Sequence, residues 1–184
     1  MEYNKQWLTA NHNEKTEYLL FWGHQPSRDG SITKTCFSQW WEQAFTVEGI
    51  PYLTAEHWMM AEKARLFNDN SALAKILAAT KPAAAKAFGR EVLNFDPSVW
   101  NDKKRQIVVQ GNGHKFSQNP ELQAFLLATG DKIIVEASPR DQIWGIGLGP
   151  ENPKALHPST WRGQNLLGFA LMEVRDLIRL NQDS

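Results

Sequence analysis

From Thr54 to Gly130 the sequence offers one helix start after another and no run that reads as a strand, and this block constrains the fold more than any other feature. Thr54 can cap AEHWMMAEKARLF (55–67), where good helix formers carry apolar positions every three to four residues. Asn70 or Ser71 is placed to cap ALAKILAA, Pro82 suits the first turn of PAAAKAF, and Gly89 suits the position just past its end. Asp96-Pro97 opens a helix running from Ser98 at least to Gln110, with Gly111 and Gly113 weakening any continuation toward Phe116. Asn119-Pro120 starts ELQAFLLAT, stopped by Gly130. Strands are left to the flanks: EYLLFWG (17–23), the extended VEGIPYL (47–53) and KIIVEA (132–137). Asp29-Gly30, in the loop 24–35, could close a hairpin between the first run and TKTCF. FSQWWEQAF (37–45) stays open between loop and short helix. A loop rich in Gly and Pro spans 138–159, and GQNLLGFALMEVRDLIRL (163–180) is an amphipathic helix. The expectation is α+β: a single, predominantly helical domain with a few short strands.

The chain has 184 residues, the size of one domain. Its 20 Lys and Arg balance 20 Asp and Glu, which disfavours binding of duplex DNA by bulk charge but leaves a local basic site open. No apolar run reaches the ~18–20 residues that span a bilayer, and MEYNKQWLTANHNEK lacks the apolar stretch of a signal peptide. The expectation is a soluble, cytoplasmic protein with no membrane partner. Cys36 stands alone, and His12, His24, His57, His114 and His157 show no metal-ligand spacing, so neither a metal nor a cofactor is expected. Eight tryptophans are many for this length. Each one singly reads as core, but of the set at least one is expected to line a pocket for a flat, base-like ligand.

Two constellations could carry chemistry. Glu56 and Lys63 are two turns apart on one helix face, about 10 Å along the axis, bordering a stripe of Met59, Met60 and Phe67. Glu56 lies in the first turn, where the helix dipole favours a carboxylate. A solvated helix edge is the plainer alternative for both. The second constellation is VEASPRDQIWGIGLG: Glu136 near a strand end, Asp141 in the following loop, Arg140 and Trp144 beside them. Carboxylates at a strand end next to a Gly-rich loop suit a cleft where backbone approaches a ligand. Alternatively Asp141 caps a turn and Trp144 anchors the loop. GIGLG lacks the spacing of a dinucleotide-binding fingerprint. Carboxylates, a lysine, an arginine and aromatic rings suit cleavage of a C–N glycosidic bond, whose transition state is oxocarbenium-like, without excluding other hydrolyses.

The ordered motifs F-S-x-W/F, T-x-E-H-W-M-M-A-x-K, G-R, D-x-x-x-W, L-L-A-T, E-x-S-P-x-D-x-x-W-G and G-x-N-x-L-G-x-x-L-M-x-x-R occur at Phe37-Ser38, Thr54–Lys63, Gly89-Arg90, Asp96–Trp100, Leu126–Thr129, Glu136–Gly145 and Gly163–Arg175. This order resembles the NADAR/YbiA-like proteins. The resemblance implies an N-terminal extension (1–17) and a YbiA-like N-glycosidase domain (18–182). It implies hydrolysis of the C–N bond in phosphorylated ribosylamino-pyrimidine intermediates of riboflavin biosynthesis, releasing ribose 5-phosphate. Removal of ADP-ribose from guanine in nucleic acid is the alternative that other members perform. Residue by residue, the family's catalytic glutamate falls on Glu56, its helix lysine on Lys63, its tryptophan on Trp100 and its late acidic residue on Asp141. Arg90 and Trp144-Gly145 match pocket motifs, and Glu136 joins them as a substrate-binding candidate. Lys63 is then a sugar or phosphate contact, or an imine-forming amine, and Trp100 and Trp144 are stacking walls. A non-catalytic binder of ADP-ribose or an NAD-like ligand is the rival from another class; Glu56, Lys63 and Asp141 argue against it.

Overall fold

A computed structural model describes residues 3–182; residues 1 and 2 of the expected N-terminal extension lie outside the described residues. Seven α-helices and four short strands occur among the described residues, an α+β and predominantly helical fold. They group into two compact units, one running Gln39–Asn119 and the other made of the chain up to Ser38 with the chain from Pro120 onward.

The unit Gln39–Asn119 opens with a hairpin of β1′s successors in chain order, β2 (Phe45–Val47) and β3 (Ile50–Tyr52), after the strand β1 (Tyr18–Phe21) of the other unit. Glu48 and Gly49 both take positive φ, 51° and 79°, the backbone of a tight two-residue turn whose twist matches the strands. Four helices follow: α2 (Ala55–Leu66), α3 (Asn70–Ala78), α4 (Pro82–Arg90) and α5 (Pro97–Ser117). Thr54 caps α2 as expected, its side chain accepting from the His57 amide. The cap of α3 is Asp69, one residue before the expected Asn70 or Ser71, and it accepts from Ala72 N. One oxygen of Asp69 caps the helix while the other accepts from Leu93 N, so the residue that wins the cap is the one that serves two segments.

Two glycines do not end helices where the sequence suggested. Gly89 lies inside α4 rather than past its end, because a Cβ there would stand 2.0 Å from Met60 Sδ: the position needs a bare backbone, not a turn. Gly111 lies inside α5, which runs unbroken to Ser117; a Cβ would stand 2.3 Å from Trp58 Cδ1. Trp58 occupies that space, donates from Nε1 to the Ile107 carbonyl at 2.8 Å and packs edge-on against Tyr52 and His114. Tertiary packing thus outweighs the low helix propensity of glycine.

In the other unit, α1 (Lys5–Asn11) lies within the N-terminal extension, and Lys5 Nζ donates to the Trp161 carbonyl at 2.6 Å. β1 pairs with β4 (Ile133–Glu136) in parallel, from Tyr18↔Ile133 to Phe21↔Glu136. This replaces the expected hairpin: Lys34–Phe37 is a 3₁₀ turn that buries Cys36 and Phe37, so no second strand follows Asp29-Gly30. α6 (Pro120–Leu127) leads into β4, and α7 (Leu166–Gln182) packs along it. Asn165 joins the two through its side chain, accepting from Glu136 N and donating to Ile134 O, both at 2.9 Å. Its amide acts as a substitute for a neighbouring strand. No helix among the described residues is long and apolar enough to cross a membrane.

Candidate active site

Four of the expected site residues belong to the unit Gln39–Asn119. Glu56 sits in the first turn of α2 and is 3% exposed; its backbone N–H donates to the Gln39 carbonyl at 2.9 Å. Next to it, His57 donates from Nε2 to the buried Ala79 carbonyl at 3.0 Å, which leaves Nδ1 to accept from the Thr54 hydroxyl at 2.8 Å. Burial lowers the His57 pKa, with the Ala79 carbonyl opposing in part. His57 is therefore a neutral pin that fixes the start of α2.

Two turns on, Lys63 is half-buried, and its Nζ donates to the Gly89 carbonyl at 2.8 Å. The ring of Phe95 lies 4.3 Å from Nζ and that of Trp100 5.7 Å. Burial holds Lys63 below the ordinary lysine pKa, the positive charge of Arg90 adds to this, and Glu56 opposes it. Glu56, Lys63, Arg90, Phe95 and Trp100 are thus one electrostatic and aromatic cluster: a carboxylate and two cations beside two rings. Such a set can hold an anionic sugar with a flat substituent. Phe95 is absent from the sequence reading; it stands in a non-periodic segment after Asn94, whose φ is 55°, and no helical or strand pattern points to it.

Gln39 and Asn112 form a second buried pair that the sequence reading does not single out. Asn112 Nδ2 donates to Gln39 Oε1 at 2.8 Å and to the Val108 carbonyl at 2.9 Å. These bonds fix both amide orientations and leave Gln39 Nε2 and Asn112 Oδ1 buried without a hydrogen-bond partner, as is Trp41 Nε1. Buried unsatisfied polar atoms are costly and collect at functional sites.

Glu136, Asp141, Trp144 and Gly145 come together in the other unit. Asp141 Oδ1 accepts from the backbone N–H groups of Ile143, Trp144 and Gly145, at 2.9, 2.8 and 3.4 Å. The Glu136 carbonyl accepts from Ile146 N, and the Asp141 carbonyl from Gly147 N. The segment 142–146 is then stitched to 162–167: Gln164 N donates to Gln142 O, Asn165 N to Gly145 O and Leu167 N to Trp144 O. Gly145 is needed here because a Cβ would stand 2.8 Å from the Glu136 carbonyl. The loop after β4 is thus rigidly built, with Trp144 half-buried at its turn. Among the described residues no three His, Cys, Asp or Glu side chains are grouped to hold a metal.

A family model, the NADAR domain, matches residues 20–179. The chain belongs to the NADAR family. An N-glycosidase of Acanthamoeba polyphaga mimivirus is 43% identical over 168 residues, 89% of this chain and 97% of that one. N-glycosidase YbiA of Escherichia coli is 30% identical over 146 residues, 79% of this chain and 82% of that one. The NMR structure of E. coli YbiA superimposes with a TM-score of 0.70 at 27% identity, covering 91% of this chain and 89% of that chain. The chloroplastic riboflavin biosynthesis protein PYRR of Arabidopsis thaliana is 35% identical over 105 residues, 55% of this chain and 16% of that protein. This NADAR chain is an enzyme of the N-glycosidase class with the YbiA fold.

Proposed function

We propose that this NADAR protein hydrolyses the C–N glycosidic bond of phosphorylated ribosylamino-pyrimidine intermediates of riboflavin biosynthesis. Water adds at the anomeric carbon, the bond to the amine nitrogen breaks, and one proton of the water ends on that nitrogen; ribose 5-phosphate and the aminopyrimidine leave. The observation that carries this reading is the placement of Lys63: an amine tied to the Gly89 carbonyl, with Arg90 as a second cation and Phe95 and Trp100 as ring walls. Two cations suit a sugar phosphate, and the rings suit a flat leaving group. The match to PYRR supports the same substrate class.

Glu56 is assigned the proton transfer or the stabilisation of charge at the anomeric carbon, as a carboxylate does in glycoside cleavage. Lys63 and Arg90 hold sugar or phosphate, and Trp100 stacks on the base. Asp141 is assigned a charge role through Oδ2, since all three of its backbone bonds go to Oδ1. At the end of β4 and in the loop after it, Glu136, Trp144 and Gly145 are candidates for substrate contact.

The test is incubation of the purified protein with a phosphorylated ribosylaminopyrimidine and, separately, with an oligonucleotide carrying ADP-ribosylated guanine. Release of ribose 5-phosphate from the first and nothing from the second is expected. Release of ADP-ribose from the second alone would replace the substrate while keeping the reaction class. Glu56→Gln is expected to lower kcat by about 10²-fold or more with the fold retained.

A further inference from the structure

Phe95 is 41% exposed, and its immediate neighbour but one, Leu93, is 66% exposed. A ring left nearly half in water contributes little to the core, so burial does not account for its position. Yet the ring is firmly held. Leu93 N donates to Asp69 Oδ2 at 2.9 Å, Asn94 turns the chain with a φ of 55°, and Phe67 meets the Phe95 ring edge-on at 5.3 Å and 67°. All three restraints set a ring whose centroid lies 4.3 Å from Lys63 Nζ.

Lysine has a flexible four-carbon stem, and a single bond to the Gly89 carbonyl limits how far Nζ travels but not the direction in which its remaining hydrogens point. A ring face attracts the ammonium and excludes water from one side of it. We propose that Phe95 is a positioning residue for Lys63: its braced ring and the Gly89 carbonyl together fix where the amine meets the substrate sugar. Trp100, at 5.7 Å, is the looser wall. The inference rests on the assignment of Lys63 to the substrate.

Three variants and three readouts test it. Phe95→Leu keeps an apolar side chain but loses the ring face, Phe95→Tyr keeps the ring, and Lys63→Arg serves to assign the Lys63 Cε–H signal in a ¹H–¹³C spectrum. In the unaltered protein that signal should be shifted upfield by the ring; the shift should vanish in Phe95→Leu and persist in Phe95→Tyr. Turnover of the ribosylaminopyrimidine phosphate should show kcat lowered about tenfold in Phe95→Leu, and Phe95→Tyr within about threefold of the unaltered protein. Tm should move little in either, as befits a half-exposed ring. An upfield shift with unchanged kcat in Phe95→Leu would overturn the positioning role while leaving Lys63 in the site. An unshifted Lys63 signal in the unaltered protein would overturn the ring placement itself. Full activity in Lys63→Arg, with the ring shift intact in the unaltered protein, would show that the exact placement of the amine does not matter to turnover and would remove the positioning role.

Discussion

Lys63 Nζ donates to the carbonyl oxygen of Gly89, 2.8 Å away and inside a different helix. That carbonyl is reachable because α2 and α4 approach closely, and they approach closely because residue 89 has no side chain: a Cβ would stand 2.0 Å from Met60 Sδ and 2.7 Å from its Cγ. In an isolated helix Gly→Ala is stabilising. Here Gly89→Ala is expected to destabilise, by about 1–3 kcal/mol as overpacking does, and to lower activity by moving the Lys63 anchor. Urea denaturation reads the first effect. The double variant Gly89→Ala/Met60→Ala should recover part of the stability lost in Gly89→Ala, and a double variant less stable than both single variants would show that crowding by Met60 is not the cause.

His57 gives a stability dependence on pH. Its folded pKa is lowered from 6.5 by burial, so the neutral ring is the native form. The unfolded chain takes up a proton first as pH falls, so this contribution is complete above 6.5 and is lost as pH falls through the lower folded value. Tm measured downward from pH 7.5 should therefore decline below about 6.5, and His57→Gln should flatten the decline. Thr54→Val removes both the helix cap and the Nδ1 partner, and about 1 kcal/mol should be lost at pH 7.5. An unchanged denaturation midpoint in Thr54→Val would contradict the cap's role.

The parts of this molecule that sequence conveys are those whose cause is local. The cap at Thr54, Pro82 and Pro97 in first turns, and the stop at Gly130 (φ 57°) depend on a few neighbouring residues. The parallel pairing of Tyr18–Phe21 with Ile133–Glu136 depends on segments far apart in the chain, and a nearer Asp29-Gly30 turn offers a more obvious partner. Gly89 and Gly111 mislead because propensity alone does not say what packs against a helix; Met60 and Trp58 do. In the candidate cluster, spacing and family motif point to Glu56, Lys63 and Trp100, and nothing in the sequence points to Phe95. The role proposed for it rests on a ring in a loop facing a lysine about thirty residues earlier, a relationship with no periodicity to reveal it.

Asp141 has one structural job, holding the turn, and one proposed job in turnover, and one substitution separates them. Its Oδ1 accepts from three backbone N–H groups, and an asparagine oxygen can accept the same three. Asp141→Asn should accordingly keep the loop, the fold and a Tm close to that of the unaltered protein. If the negative charge takes part in turnover, kcat should still drop about 10²-fold. Asp141→Ala, which removes the acceptor as well, should lose both stability and activity. Wild-type turnover in Asp141→Asn would confine Asp141 to holding the turn.

The two roles open to Lys63 differ in what arginine can replace. A contact to sugar or phosphate needs charge and donors, which Lys63→Arg retains with altered geometry, so part of the activity should survive. An amine that attacks C1′ of a ring-opened ribose must lose a proton, and a guanidinium does not do so. The environment bears on this choice: burial and Arg90 lower the Lys63 pKa, and Glu56 raises it, with burial the largest influence. The neutral amine is thus reached at a lower pH than for an ordinary lysine, which is the condition that attack requires. In the attack, C1′ takes the nitrogen lone pair, the aminopyrimidine leaves as its free amine with the two protons that the lysine nitrogen gives up, and water then releases ribose 5-phosphate from the lysine imine. On this route Lys63→Arg loses turnover by at least about 10²-fold, and the activity of the unaltered protein rises as pH climbs toward the lowered lysine value. On the same route borohydride added during turnover leaves a reduced sugar adduct on Lys63, found by mass spectrometry of the peptide that carries it. No adduct, together with an arginine variant that keeps a substantial rate, would eliminate the imine and leave direct attack of water with Glu56 in charge of the proton.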